Sequence, residues 1–153
     1  LMPEVKKILF PLEFAQISPY IVPWVETTAR EFGAELHILH VVPSTAFMGL
    51  PYVTEIYRGD EAGLETKALH AAQEFVGKHF QNQPEVQIKA MTGDPAEVIV
   101  QYVKDNGIDM IVMGTHGRHG LDRTLYGSVA DKVLRASPVP VLCVNPLHEK
   151  DKQ

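Results

Sequence analysis

Glycines, a serine and basic residues lie between positions 114 and 128 in an order that suits the binding of a phosphate group. A short apolar run, Met110 to Met113, is followed by the glycines of a loop and then by a predicted helix start at Gly127 and Ser128. Glycines let the backbone approach a ligand closely, and a helix start offers unpaired N–H groups and a positive dipole end. The loop glycines and nearby basic residues are Gly114, Gly117, Gly120, His116, Arg118, His119 and Arg123.

The order of these elements has a second explanation. A strand, a glycine-containing loop and a helix also occur where the loop only connects the two elements and its glycines satisfy turns. One helix dipole contributes only about 0.3–1 kcal/mol to anion binding. A phosphate site would therefore need several N–H groups and side chains to converge.

The spacing of Gly114, Gly117, Gly127 and Ser128 resembles the nucleotide motif of the ATP-binding branch of the universal stress protein family. In that motif two residues separate the first two glycines, and nine separate the second from the Gly-Ser pair. The resemblance extends along nearly the whole chain. It includes the stretches Lys7 to Glu13, Gly93 to Pro95 and Ser137 to Val144.

This resemblance implies a binding site for ATP, or for AMP or ADP, with Mg²⁺ carried by the phosphates of the nucleotide. The implied strand order, 3-2-1-4-5, places the carboxyl ends of strands one and four side by side, where open α/β sheets bind ligands. Val41 and Val42 would flank the adenine. The sequence shows no arrangement of catalytic residues, and we expect no metal ligand from the protein. The expected binding residues are Pro11, Leu12, Glu13, Val41, Val42, Met113, Gly114, His116, Gly117, Arg118, Gly127, Ser128 and Val129.

Glu13 departs from the pattern of the nucleotide-binding relatives, which usually carry aspartate at this position. Glutamate keeps the charge but adds a methylene group, which alters the expected contact with ribose or adenine. A solvated loop carboxylate is the alternative interpretation of Glu13.

The composition indicates one globular domain without a membrane segment. The chain has 153 residues, of which 45% are hydrophobic and 22% charged, and no apolar run approaches the roughly 20 residues that span a bilayer. We expect a domain over residues 1–146 and a polar tail over 147–153. The formal charge of −5 argues against a nucleic-acid partner. A single cysteine, Cys143, and the lack of a leader pattern favour the cytoplasm.

Strands and helices alternate, which predicts an α/β fold: an open five-stranded parallel sheet with helices on both faces. The predicted strands are Val5 to Leu12, Glu35 to Val42, Val86 to Met91, Ile108 to Met113 and Val139 to Val144. The predicted helices are Pro23 to Phe32, Asp60 to Phe80, Pro95 to Asn106 and Gly127 to Ala136. In the last helix we expect Val129, Val133 and Leu134 to face inward. Asp94 is the expected N-cap of the third helix.

Three further features bear on ligands and partners. His37 and His40 are three residues apart on a strand, so they point to opposite faces and cannot chelate one metal; His40 either contacts a ligand or packs in the core. Pro140 indicates that the last strand lies at a sheet edge, where Val139 to Val144 would pair with a second copy in a homodimer. The apolar segment Pro43 to Gly59 either folds over the site or packs against a partner. Alternatively, it extends the next helix and buries its own side chains.

Four functions fit these observations. The first is a regulatory ATP-binding module in the stress response. The second is a slow ATPase or phosphoryl-transfer enzyme that phosphorylates itself on Ser128 or Thr115; the chain lacks the G-x-x-x-x-G-K-[ST] phosphate loop, which argues against a faster enzyme. The third is a dimeric scaffold without a nucleotide, and the fourth a flavin domain of similar topology. His116 and His119 either contact phosphate, so that binding strengthens below about pH 6.5, or are exposed loop residues.

Overall fold

Five strands and four helices make up the part of the chain that the computed structural model describes, which is residues 2–14, 18–43, 63–82, 85–115 and 127–145. The strands are β1 (Lys7–Pro11), β2 (Glu35–Pro43), β3 (Val86–Gly93), β4 (Met110–Gly114) and β5 (Val141–Val144). The helices are α1 (Ser18–Phe32), α2 (Leu64–His79), α3 (Pro95–Asn106) and α4 (Ser128–Ala136).

All strand pairs are parallel, and the strand order is β3-β2-β1-β4-β5. The predicted fold and strand order are therefore confirmed. β1 lies at the centre, with Ile8 opposite Leu36 of β2 on one side and Met110 of β4 on the other. Each of β1 to β4 is followed by a helix, because a parallel neighbour can be reached only by a crossover connection.

Both faces of the sheet are covered, which explains why β1 is a continuous apolar run. Leu9 faces a core that it shares with residues of α3 and α4, such as Ile99 and Val133. Its neighbours Ile8 and Phe10 face the opposite core, built with residues of α1 and α2. Successive strand residues thus serve different helices, as the expectation of helices on both faces requires.

The first helix starts earlier than predicted. It begins at Ser18 and contains Pro23, where the prediction began at Pro23 itself. The proline ring removes the N–H group that would bond to the Pro19 carbonyl, so the start of α1 lacks one helical hydrogen bond. Burial of Ile21 and Val22 on the sheet holds this turn in place.

Helix α4 buries a different set of residues than predicted. Ala130 and Val133 are buried and Val129 packs against the core, but Leu134 is 40% exposed. Successive residues of a helix are separated by about 100°, so Leu134 points well away from Val133. The inward orientation predicted for Leu134 is wrong.

The last strand begins after Pro140, not before it. The predicted edge position of β5 is confirmed, but the strand spans Val141–Val144 rather than Val139 to Val144. Pro140 still contributes to the ladder, because its carbonyl accepts a hydrogen bond of 2.9 Å from the Ile111 N–H. A proline lacks only the donor.

The other described boundaries differ by one or two residues, except that α2 begins at Leu64 rather than at Asp60. The caps of α3 agree with expectation. The Asp94 side chain accepts from the Glu97 N–H at 3.1 Å and caps α3, with Pro95 directly after it. Gly107 ends α3 with a φ of 63°. Pro43 is the last residue of β2. The rest of the apolar segment, 44–59, the start of the predicted second helix and the polar tail lie outside the described residues.

Candidate functional site

The connections that follow β1 and β4 leave the sheet on opposite faces. The two central strands pair directly, with Leu9 opposite Ile111. β1 leads to α1, which packs in one core, whereas β4 leads to α4, which packs in the other. A crevice opens between the carboxyl ends of two strands whose connections diverge in this way, and ligands of open α/β proteins bind there.

The two described ends of the glycine motif meet at this crevice. Thr115, directly after β4, donates its N–H to Val144 O at 2.9 Å, and its carbonyl accepts from the Gly127 N–H at 2.7 Å. Thr115 and Gly127, the residues that flank positions 116–126, are therefore in direct contact. Helix α4 begins at that point with Gly127 as its N-cap and an exposed Ser128 as its first residue.

Among the described residues, no side chain of the N-cap bonds to the first backbone N–H groups of α4. The Asp131 N–H is bonded to Gly127 O at 3.0 Å, which is the first hydrogen bond of the helix. Gly127 has no side chain with which to cap the N–H groups before it. Such groups, with the helix dipole behind them, favour an anionic ligand.

Glu13 lies between the end of β1 and the start of α1. The preceding residue, Leu12, still bonds to β2 through a 2.9 Å contact from its N–H to Leu39 O. The Glu13 carbonyl accepts a hydrogen bond from the Ser18 hydroxyl at the first turn of α1. Glu13 itself is half-buried, so it is neither a core residue nor a fully solvated one.

The backbone of Val41 faces the crevice. Leu39 directs its carbonyl toward β1, where it bonds to Leu12, and Val41 lies two residues further on. Alternate residues of a strand direct their hydrogen-bonding groups to the same side, so Val41 directs its own toward the end of β1. The paired ladder of β1 and β2 stops at Pro11 and Leu39.

Several of the predicted binding residues have buried side chains. These are Pro11, Leu12, Val41, Val42 and Met113. Met113 and Val129 pack with the core beneath α3 and α4. Contact between such residues and a ligand would go through the main chain. Gly114, Gly127 and Ser128 lie at the crevice, while His116, Gly117 and Arg118 lie outside the described residues.

The two histidines of β2 face opposite sides of the sheet, as predicted. The His37 ring contacts the Tyr102 hydroxyl of α3 through Nδ1 at 2.7 Å and Glu35 Oε1 through Nε2 at 3.0 Å. Burial lowers the pKa of His37, and the nearby Glu35 carboxylate opposes part of that shift. Burial also raises the pKa of the Tyr102 hydroxyl. This group belongs to the core between β2 and α3.

His40 lies at the crevice, and its bonding was not foreseen from the sequence. Its Nδ1 is 2.8 Å from the Leu12 carbonyl, and its ring lies 4.4 Å from the Phe14 ring, centroid to centroid. The only indication in the sequence that His40 lies near the site is that it directly precedes Val41, one of the expected binding residues. The sequence left His40 between a ligand contact and core packing, and the structure shows a hydrogen bond to the Leu12 carbonyl.

The described residues contain no group of three or more His, Cys, Asp or Glu side chains arranged to hold a metal ion. None of the described helices combines the length and apolar character that a membrane crossing requires. Burial raises the pKa of the Cys143 thiol in β5, which disfavours the reactive thiolate.

Comparison with known proteins shows similarity over almost the whole chain. Residues 4–145 match the model of the universal stress protein family. The universal stress protein MJ0531 of Methanocaldococcus jannaschii is 32% identical over 145 residues, which cover 91% of this chain and 81% of the relative. The solved structure of MJ0577, from the same archaeon, superposes with a TM-score of 0.74 and 28% identity, covering 94% of this chain and 97% of that one.

Two more distant structures share the fold. A universal stress protein in complex with cAMP has a TM-score of 0.63 at 17% identity, and it covers 94% of this chain and 99% of its own. A universal stress protein from Archaeoglobus fulgidus in complex with dAMP has a TM-score of 0.60 at 18% identity, covering 94% of this chain and 100% of its own. The family match over residues 4–145 and the close agreement in fold show that this chain belongs to the universal stress protein family.

Proposed function

We propose that this protein is a regulatory module of the stress response that binds ATP in the crevice between β1 and β4. The observation that carries the proposal is the closure of the glycine motif. The 2.7 Å bond from Gly127 N to Thr115 O joins the two residues that flank positions 116–126, at the end of β4 where α4 begins. The described ends of the motif and a helix start thereby lie together at the carboxyl end of β4, the strand paired with β1.

Each part of ATP has a matching group at this crevice. The triphosphate fits the helix start at Gly127 and Ser128, with His116 and Arg118 of the intervening segment as sources of positive charge. Glu13 lies where a carboxylate can accept a hydrogen bond from a ribose hydroxyl. The backbone N–H and C=O of Val41 provide one donor and one acceptor for the base.

Mg²⁺ fits this arrangement as an ion held by the nucleotide. Mg²⁺ in ATP sites is commonly bound through phosphate oxygens and water, with few protein ligands. The ion would neutralise phosphate charge.

The ligands of structural neighbours support the choice of an adenine nucleotide. The cAMP and dAMP of those two complexes share the adenine base but differ in sugar and phosphate. The base is thus their common element, and this chain's Val41 backbone could serve it. ATP is our favoured ligand because the motif of residues 114–128 provides several groups for phosphates, and ADP or AMP would occupy the same place.

A binding role is favoured over catalysis by the groups present. Phosphoryl transfer requires an oriented nucleophile and stabilised charge on the transferred group. Glu13 is the one carboxylate that the described part of the chain places at the crevice. An exposed Ser128 at the start of α4 makes slow self-phosphorylation the alternative worth measuring.

Calorimetric titration of the nucleotide-stripped protein with ATP and Mg²⁺ tests the proposal. We expect a micromolar dissociation constant, and we expect Gly117→Val to abolish binding because a branched side chain keeps the backbone away from phosphate. Gly77→Val is the matched control, since Gly77 is exposed on α2 and a Cβ there meets no atom within 4 Å.

Equal affinity in the two valine variants would contradict the motif's role. Failure of the unmodified protein to bind ATP would favour a nucleotide-free scaffold. Phosphate release from bound ATP, measured in the same samples, distinguishes a binding module from a slow ATPase.

We further propose that a second copy pairs with the edge strand β5. Leu142 of this strand is 39% exposed, and an apolar strand edge is a ready template for another strand. Sedimentation should give a dimer that Leu142→Lys converts to a monomer, because a charge on an edge strand opposes pairing. Met91→Lys, on the opposite edge strand β3, is the control, since Met91 is also 39% exposed. A dimer that survives Leu142→Lys would overturn the assignment of this edge.

A further inference from the structure

The bond between His40 and Leu12 replaces a rung of the sheet. Leu12 donates its N–H to Leu39 O at 2.9 Å, which is the contact expected of one more residue in the parallel ladder. The next rung of such a ladder would run from the Val41 N–H to the Leu12 carbonyl. The ladder instead stops at Pro11 and Leu39, and the Leu12 carbonyl lies 2.8 Å from His40 Nδ1.

This histidine is held in one arrangement. It is only 4% exposed, and its ring packs on the Phe14 ring at 4.4 Å. A carbonyl oxygen can only accept a hydrogen bond, so His40 Nδ1 must carry a proton and donate it. The imidazole thus performs the task of a backbone N–H, and β1 leaves the sheet at Leu12.

The early departure of β1 leaves the Val41 N–H directed at the crevice. Within the described chain, no carbonyl of the paired ladder lies opposite this N–H, because the ladder ended two residues earlier. Its own carbonyl is directed to the same side. The result is a donor and an acceptor on one residue, at the position where the base of a nucleotide would lie.

We propose that His40 is a positioning residue for base selection: by occupying the Leu12 carbonyl, it keeps the Val41 N–H available to the nucleobase. This inference rests on the proposed nucleotide function. Adenine presents a ring-nitrogen acceptor beside an amino donor, which complements the Val41 N–H and C=O. Guanine presents a ring N–H and a carbonyl in the same places, so both contacts would be mismatched. A site whose polar groups are left unpaired rejects the wrong ligand strongly.

Two amide substitutions separate this role from simple packing. His40→Asn places an amide nitrogen where Nδ1 lies and can still donate to the Leu12 carbonyl. His40→Gln carries the same amide one methylene further out, so it misses that carbonyl. His40→Phe keeps the ring packing on Phe14 but has no donor.

The experiment is a titration of each variant with ATP and with GTP. We expect His40→Gln and His40→Phe to raise the dissociation constant for ATP by about tenfold, the effect of one hydrogen bond. Both should also reduce the ratio of the GTP dissociation constant to the ATP dissociation constant. His40→Asn should retain both the affinity for ATP and the preference for ATP over GTP. Thermal unfolding establishes that each variant is folded. If His40→Phe fails to fold, the comparison of His40→Asn with His40→Gln still tests the role of the hydrogen bond to Leu12.

Amide hydrogen exchange at Val41 in the nucleotide-free protein provides a readout that packing alone would not move. Exchange should be fast in the unmodified protein and in His40→Asn. It should be slower in His40→Gln and His40→Phe, because the Leu12 carbonyl is then available to accept a hydrogen bond from the Val41 N–H. ATP binding with unchanged affinity, base preference and Val41 exchange in all three variants would overturn the inference. Absence of ATP binding in the unmodified protein would overturn the proposed function instead, while the Val41 exchange would still report on the rung that His40 replaces.

Discussion

Replacing Gly93 with alanine will lower the free energy of unfolding by about 2–5 kcal/mol, the sum of a backbone cost and a packing cost. Gly93 ends β3 with a φ of +154°, which L side chains rarely adopt. A Cβ at this position would lie 2.6 Å from Val98 Cγ2. The branched Val98 side chain has little freedom to move aside, and a typical domain is stable by only about 5–15 kcal/mol.

Chemical denaturation of Gly93→Ala beside Gly77→Ala measures this effect against a matched glycine. Gly77 lies within α2, and a Cβ there meets nothing within 4 Å. Alanine should therefore stabilise that helix by about 0.5–1 kcal/mol through its higher helix propensity. A double variant, Gly93→Ala with Val98→Ala, should recover part of the packing cost but none of the backbone cost. Equal stabilities for the two single variants would refute the account.

The alternation of strands and helices could be predicted because its signals are local in the sequence. Ile8, Leu9 and Phe10 form a continuous apolar run within the predicted first strand, and they are 0–1% exposed between β2 and β4. The spacing of Gly114 and Gly127 predicted that a loop and a helix start act together. The bond between Thr115 and Gly127 shows that these two ends do meet.

Errors arose where tertiary packing outweighs a local rule. Pro23 interrupts the helical hydrogen bonds, yet burial of the first turn of α1 on the sheet keeps the helix intact from Ser18. Leu134 is apolar but falls on the outer side of α4, since Ala130 and Val133 already fill the contact with the core. Neither outcome can be obtained from residue types alone.

The rung formed by His40 could not be predicted at all. Its two ends lie 28 positions apart in the chain, and the bond depends on where β1 ends relative to β2. A histidine on a buried strand gives no indication of which carbonyl it will meet. The sequence analysis therefore left His40 between ligand contact and packing.

The proposed site would recognise its ligand largely through the main chain, which places few demands on residue type. The proposed contacts of Val41, Gly114 and Gly127 use backbone atoms, which any residue with the right conformation supplies. Identities of 32% and 28% with the two archaeal relatives are compatible with one crevice geometry. On this account the replacement of aspartate by Glu13 alters one side-chain contact and leaves the backbone contacts in place.

Asp109 should be the residue that holds the opposite ends of the two central strands together. Its Oδ2 accepts from the Lys6 N–H at 2.8 Å and from the Lys7 N–H at 2.9 Å, and its own N–H donates to Lys7 O at 2.9 Å. These bonds join the start of β1 to the start of β4. They thereby fix the relative position of the carboxyl ends, where the proposed ligand lies.

Asp109→Ala should therefore reduce the free energy of unfolding by about 2–3 kcal/mol, since hydrogen bonds to a charged group contribute about 1.5–3 kcal/mol and two N–H groups lose their acceptor. Asp109→Asn keeps an acceptor oxygen and should lose less than half as much. Asp105→Ala is the surface control: its carboxylate accepts only from the exposed Gln101 side chain among the contacts in the described chain, at 2.8 Å, and should cost less than about 0.5 kcal/mol.

Denaturation curves for these three variants rank the contributions of the side chains to the free energy of unfolding. Nucleotide titration then tests whether the loss of the Asp109 carboxylate also weakens ATP binding. If the link between β1 and β4 sets the crevice, Asp109→Ala should also weaken ATP binding while the protein remains folded, and Asp105→Ala should not. Equal denaturation midpoints for the Asp109 and Asp105 alanine variants would show that the backbone pairing of β1 and β4 suffices without the carboxylate. The position of the proposed nucleotide crevice would then depend on the ladder alone.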